Sequence, residues 1–440
     1  MKKILILAYD FPPYVSVGGL RPYNWFKYFK QYDVEPIVVT RQWENKYGSE
    51  LDYIAPSASK EVVIEENEFG TIIRAPYFPN LANKILMKYG EQRFRLLRKM
   101  ISLYYEVFQF VLPIGPKLEI YKAAKYYLKS NRVDVIIATG DPFVLFYYAK
   151  KLSEIYPIPW MADYRDPWSD DISLTKKPLL RYWFRKNERN FLRQAYSVST
   201  VSNFFASKIK TINSSKTIHV FPNGFDDELA EKVKHVEQSK DELVITYAGS
   251  VYDWHPLLRF CSALEEVLKS TSSVKLKLQF IGISKMEDYR AKIKENCPVL
   301  FHHIAFIPRV ANQELFSYLA KSNVLLLFND YSIIGTKIFD YLAVKRHVLL
   351  CFSNDPEAMK LKKHFKSDES HSPDKQAQAT LLQKTNAGEM IKDAADLKIA
   401  LAKLMEEFKK NKSITCATTD VAQYARRAQV KKMAELINNM

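Results

Sequence analysis

The feature that most constrains this fold is an alternation: short runs apolar on both faces, set apart by segments with helical spacing. In the first half the runs are "KILILAY", "EPIVVT", "TIIRAP", "VDVIIATG", "IPWMADY" and "SVSTVS", with helical patterns such as "RPYNWFKYFKQY" and "FVLFYYAKKLSEIY" between them. A strand apolar on both faces must be covered on both, and interleaved helices supply the cover. The pattern therefore predicts a doubly wound parallel sheet. The theme restarts after "HVFPNGFD", whose Pro-Asn-Gly turn breaks the chain, with "LVITYAGS", "KLKLQFIGIS", "HHIAFIP", "NVLLLFN" and "HVLLCF".

The expected organisation is an α/β chain with one Rossmann-like domain over residues 1–223 and a second over 224–415. A C-terminal helix over 416–440, with Thr419 or Asp420 as N-cap, could pack back on the first domain. Residues 355–395 lack a sustained period and read as loop with short helices. The length of 440 residues suits two domains, and 47% hydrophobic with 26% charged residues is a globular balance. The formal net charge of +16 favours acidic partners, with phosphate the common denominator. No zinc-ligand spacing, RNA-binding aromatic signature or basic heptad region accompanies the charge, so nucleic acid is not expected as a partner.

Cys261, Cys297, Cys351 and Cys416 are scattered, which fits buried thiols in a reducing compartment. The apolar run "ILILA" near the N-terminus is too short for a signal peptide and reads as a first strand. No window reaches the ~20 apolar residues that cross a bilayer. The expected location is cytoplasmic, with any membrane association peripheral on the inner face of the plasma membrane.

Open α/β sheets bind ligands beyond the carboxyl ends of their strands, and the candidate residues fall there. In "SIIGTKIFDYLAVKRHVLL", Gly335 permits close backbone approach, Thr336 can cap the next helix, and Lys337 adds a point charge at a helix start that favours phosphate. Asp340 lies one turn on, where a carboxylate can accept from a sugar diol; an ordinary cap with a surface acid is the competing reading. In "AYDFPPYVSVGGLRPYNW", Gly18 and Gly19 permit a tight turn near a ligand, and Arg21 offers a fork for phosphate or carboxylate. "WMADYRDPWSD" sets Asp163, Arg165 and Asp166 at the end of an apolar strand, a costly place for charges unless they pair or face a ligand. In "TGDPFVLF", Asp141 is a helix cap or an acceptor contact.

A basic, aromatic, amphipathic insertion covers about residues 81–130. Its stretch "LANKILMKYGEQRFRLLRKMISLYYEVFQFVL" suits an anionic membrane surface, or a helical pair that packs on the first domain and exposes its arginines. No metal site emerges, since His302 and His303 are adjacent in a predicted strand and point to opposite faces. Neither a G-x-S-x-G elbow nor a Walker loop is present.

"GTKIFDYLAVKRHVLL" resembles the P-x-K-hydrophobic-F-E-Y-hydrophobic-A stretch of retaining glycosyltransferases with the GT-B fold, family 4 type, and nearly the whole chain reads in that pattern. The resemblance implies two Rossmann-like domains facing a central cleft. It makes Asp340 the ribose-binding acid and turns residues 335–337 toward a diphosphate. It sets Gly249 and Ser250 of "ITYAGSVYDWHPL" beside that diphosphate, and "FIPRV" against the nucleobase. The family's Arg and Lys of the first loop are absent here, which leaves Arg309 and Lys337 to supply the charge. Two further departures stand out: Asp340 replaces a Glu, and Ser332 stands where the family carries another Glu.

"D-Y-R-D-P-W" is similar to a subset of the same family. No histidine precedes residue 219, so Arg165 takes the place of the family's cleft histidine; with a pKa above ~12 it cannot act as a base. What the resemblance implies is transfer of a sugar from a nucleotide diphosphate donor, expected to be a UDP-sugar, to a saccharide or lipid-linked saccharide in bacterial surface polysaccharide synthesis. Arg165, Asp163 and Asp166 are its catalytic candidates, with no metal and no cofactor. A non-catalytic scaffold and a nucleotide-sugar 2-epimerase-like enzyme are the alternatives.

Overall fold

A computed structural model describes residues 1–14, 16–44, 50–270, 274–365 and 367–440. Backbone contacts gather Met1–Pro222, Ser370–Pro373 and Gln429–Met440 into one unit, and Asn223–Glu369 with Asp374–Ala428 into another.

Among the described residues the first unit is built on eight strands: β1 (Lys2–Leu7), β2 (Val34–Arg41), β3 (Val63–Asn67), β4 (Gly70–Ala75), β5 (Val135–Gly140), β6 (Trp160–Tyr164), β7 (Ser197–Thr200) and β8 (Ile218–Val220). Their order is β3-β4-β2-β1-β5-β6-β7-β8. Every pair is parallel except β3 with β4. Side chains of a strand alternate between faces, and β1 shows both being buried: Leu5 and Leu7 join one apolar cluster, Ile4 and Ile6 another. The second cluster is completed by Val430, Met433, Ala434 and Ile437. These recur at three and four residues along helix Arg426–Asn438, whose apolar stripe closes one face of this sheet.

The second unit carries β9 (Leu243–Ala248), β10 (Leu276–Ile281), β11 (Ile304–Ile307), β12 (Val324–Phe328), β13 (His347–Cys351) and β14 (Gly388–Ile391), ordered β11-β10-β9-β12-β13-β14. All its pairs are parallel. Leu326 and Phe328 of β12 face one cluster, Leu325 and Leu327 the other. In both sheets the strand order runs outward in opposite directions from a central pair, β1 and β5 in one, β9 and β12 in the other. That switch point is where an open sheet leaves a crevice.

Four expectations need correction. Strand β3 was not foreseen; it is exposed along its length, so burial left no mark on its sequence. Residues 355–395 contain the expected short helices, Pro356–Lys362 and Ala377–Thr385, but also the sixth strand, β14, which the expectation lacked. His302 and His303 lie in the turn before β11 rather than in a strand. Neither Thr419 nor Asp420 caps the last helix: Asp420 adopts a left-handed conformation at φ 55° and leads into a short turn, Val421–Tyr424.

Candidate functional site

The second unit brings the end of β9 and the start of helix Lys337–Val344 together at its switch point. Gly249 follows β9 at φ +85°, a region that favours glycine. A Cβ there would stand 3.3 Å from Lys337 Cε, so the residue also makes room for the lysine stem. Lys337 Nζ donates to the Tyr247 hydroxyl at 2.7 Å and to the Ser250 carbonyl at 3.3 Å, and lies 4.0 Å from the centre of the Tyr247 ring. The Tyr247 hydroxyl donates to the same Ser250 carbonyl at 2.6 Å. All of these partners are neutral, and burial lowers the lysine's pKa to about 8. Asp330 acts on it only at longer range and forms no ion pair with it, and a cation so held has the makings of an anion site.

Asp340 sits in the first turn of the same helix. Its carboxylate makes no hydrogen bond among the described residues. Burial raises its pKa to about 6, against the pull of Arg426 and with a smaller push from Asp226. Arg426 is spent elsewhere, on the Gly224 carbonyl at 3.3 Å and on Asp226 at 3.6 Å. Gly335 has no atom within 4 Å of where a Cβ would stand, so the approach to the helix start is open. Thr336 occupies the N-cap position but its hydroxyl forms no capping bond, which corrects the expected cap. The first amides of the helix are left for a ligand.

Arg309 is exposed just beyond β11 and packs its stem on Gly282, at the end of β10. Ser332 is fully buried; its amide donates to the Glu369 carboxylate at 3.0 Å while its hydroxyl has no partner. The loop after β9 is braced by a set the sequence did not reveal. Buried His255 accepts the Tyr252 amide on Nδ1 at 3.2 Å, so Nε2 carries the proton given to Asp330 at 2.9 Å. Trp254 donates to the same Asp330 oxygen at 2.7 Å. Because these partners come from segments some 75 residues apart, no local spacing could have signalled them.

In the first unit the expected residues divide. Arg21 and Asp163 are spent on each other: the guanidinium holds both carboxylate oxygens at 2.8 to 3.1 Å, and Asp163 also accepts from Thr139 and Ser199. Arg21 further donates to the Phe221 carbonyl at 2.7 Å. Asp163 is fully buried, with no lone pair left for a ligand, so neither residue is a phosphate fork or a catalytic acid. The charge pair at the strand end is structural.

Gly18 and Gly19 do not form a loop. They occupy the first turn of helix Val17–Tyr28, where Ser16 caps by accepting the Gly19 amide at 3.0 Å. A Cβ on Gly18 would lie 1.9 Å from an Arg165 guanidinium nitrogen, so glycine is required for Arg165 to reach this point. Arg165 also donates to the Gly140 carbonyl at 3.2 Å and to the Asp141 carbonyl. Asp141 is exposed and does not cap the following helix. Asp166 is exposed on the same turn. Near them stand Asp10, whose Oδ1 is buried without a partner among the described residues, and Lys117, which lies 5.2 Å from the Tyr9 ring and is acted on by the Asp141 and Asp10 carboxylates. Asp10 directly follows the first strand, which was the signal available for it.

Among the described residues, no three His, Cys, Asp or Glu side chains are placed to hold a metal ion, and no helix is long and apolar enough to cross a membrane. Residues 23–229 match the family described as Glycosyltransferase Family 4. A glycosyltransferase from Rickettsia africae is 14% identical over 100% of this chain and 98% of its own, with a TM-score of 0.55. The UDP-forming trehalose-phosphate synthase of Burkholderia xenovorans, solved with glucose-6-phosphate, is 12% identical over 100% and 99%, at a TM-score of 0.58. Sucrose-phosphate synthase from Thermosynechococcus elongatus gives 13%, 99% and 95%, at 0.54. The fold is GT-B, and the match to the family 4 glycosyltransferases lies mostly within the first half of the chain. No curated protein sequence matches the chain. At these identities the GT-B neighbours share architecture along the whole chain, while the residues of this GT-B protein's site must be argued from its own geometry.

Proposed function

We propose that this protein transfers a hexosyl group, with retention, from a UDP-sugar to a saccharide or lipid-linked saccharide acceptor in the assembly of a bacterial surface polysaccharide. The observation that carries the reading is the meeting, at one open helix start, of two half-buried groups: a cation in no ion pair and a carboxylate in no hydrogen bond among the described residues. Lys337 and the free amides of residues 336–338 suit a diphosphate; Asp340 suits the ribose diol. Gly249 and Ser250 line the same point, and Arg309 stands at the neighbouring strand end.

In the reaction, the acceptor hydroxyl attacks C1 of the sugar as the bond from C1 to the β-phosphate oxygen breaks. The nucleoside diphosphate leaves with the electron pair, and the acceptor proton passes to a phosphate oxygen. Lys337 and the helix start stabilise the charge that develops on that leaving group, so the site requires no metal or cofactor. Arg165, held against Gly18, is the first unit's candidate contact to an acidic group of the acceptor, with Asp166 and Asp141 beside it.

Isothermal titration with UDP, GDP and ADP tests the reading. UDP should bind at micromolar to millimolar levels, and Asp340→Ala and Lys337→Met should each weaken it about tenfold or more. If no nucleotide binds, the proposal fails. A non-catalytic scaffold is favoured by one observation, the buried serine at 332 where a carboxylate would meet the sugar. Slow hydrolysis of UDP-sugar without acceptor would exclude it.

A further inference from the structure

The amphipathic stretch flagged in the sequence leaves apolar surface uncovered. Helix Leu81–Tyr89 packs beside helix Arg95–Phe108, and the latter buries none of its residues. Leu96 is 77% exposed and Met100 70%; at the start of helix Pro178–Gln194, Leu179 is 86% and Tyr182 70% exposed. These side chains do not belong to a frayed segment. The end of helix Arg95–Phe108 is tied down by the Trp183 indole, which donates to the Val107 carbonyl at 2.9 Å. Just beyond it, Phe110 is buried against Trp168 and Phe184.

Between Arg95–Phe108 and the start of Pro178–Gln194 runs a groove of about 810 Å³. Arg95, Arg98, Lys99 and Lys177 line it against a single acid, Glu106. None of the four cations forms an ion pair among the described residues. Exposed leucines and a methionine around unpaired cations match a surface that is apolar in its interior and anionic at its boundary. A second copy of this chain would bring the same positive charge to the contact, which disfavours it as the occupant.

We infer that this face docks on an anionic bilayer, with Leu96, Met100 and Leu179 entering the acyl boundary and the groove's Arg95, Arg98, Lys99 and Lys177 holding lipid phosphates. This deepens the lipid-linked acceptor reading above, on which it rests, by naming the surface that meets the lipid and by adding Lys177 and Leu179 from a separate segment.

Vesicle pelleting decides it. The full chain should pellet with phosphatidylcholine vesicles containing about 30 mol % phosphatidylglycerol and at least about tenfold less with phosphatidylcholine alone. Replacing Arg95, Arg98, Lys99 and Lys177 together by Gln should weaken that binding about a hundredfold. Leu96→Ser with Met100→Ser and Leu179→Ser should remove the part that persists in about 1 M salt, where exposed charges are screened. Apart from half-buried Arg98, which donates to the Glu91 carbonyl, these side chains are exposed, so the variants should keep the wild-type circular dichroism and UDP titration. Pelleting unchanged in both variants, or no pelleting of the wild type, overturns the docking surface. A dimer in light scattering that Met100→Arg dissociates would overturn it in favour of a second copy. Vesicle binding without any UDP binding would sink the transferase reading alone.

Discussion

If the helix start binds a nucleotide as proposed, its two titratable residues set opposite limits on that binding. Asp340 must be ionised to accept from a ribose diol, and burial raises its pKa to about 6. Lys337 must be charged, and burial lowers its pKa to about 8. UDP affinity should therefore fall below the lower value and above the higher one, which titrations across the range would display as a bell. The stability of the folded chain carries the opposite cost. Asp340 holds its proton in the native state between 3.8 and about 6, where the unfolded chain has released it, so stability declines as pH rises through that window and the loss is complete above it. Asp340→Asn should raise stability at neutral pH by on the order of 1 kcal/mol while weakening UDP, a split that denaturation and calorimetry can read separately. Asp163 behaves differently. Its removal in Asp163→Ala strands buried Arg21 without an anion and should cost about 3–5 kcal/mol in urea denaturation.

At the scale of elements, position in the sheet rather than intrinsic propensity gives each segment its role. Lys337–Val344 has only eight residues, too short to persist alone; Ile338, Phe339, Tyr341 and Leu342 are buried and hold it against the second sheet. Tyr341 also accepts the Ala248 amide at 3.0 Å, which locks the helix to the end of β9 and so fixes Lys337 beside Gly249. The last helix has the reverse relation to its neighbours in sequence: its stripe serves the first unit's core. Met433 is fully buried within that stripe, so Met433→Ala should destabilise by about 2–5 kcal/mol, measured by chemical denaturation, with UDP affinity little changed. The cap on helix Val17–Tyr28 is worth less: Ser16→Ala should cost about 1 kcal/mol.

At the scale of the whole molecule, the proposed reading puts the nucleotide on the second unit. Ligation at the second unit's switch point should protect that unit in amide exchange: UDP at a hundredfold excess over its Kd stabilises the binding-competent state by about 2.7 kcal/mol. Protection should concentrate at the end of β9 and in residues 335–344. Slowed exchange confined to the first unit would place the nucleotide elsewhere.

The alternation of apolar runs and helical segments was enough to specify two doubly wound sheets, because burial on both faces leaves a mark on every residue of a strand. The position of Lys337 and Asp340 beyond a strand end was legible for a related reason, since strand ends can be read, while Gly249 was singled out by the resemblance to the GT-B family. Strand β3 and the brace of His255, Trp254 and Asp330 were not, since one is exposed and the other joins segments distant in sequence. The pattern "DYRD" could not by itself say which charge was structural. Only the tertiary structure assigned Asp163 to Arg21 and left Arg165 against Gly18, because a buried carboxylate belongs to whichever cation the fold brings within about 3 Å.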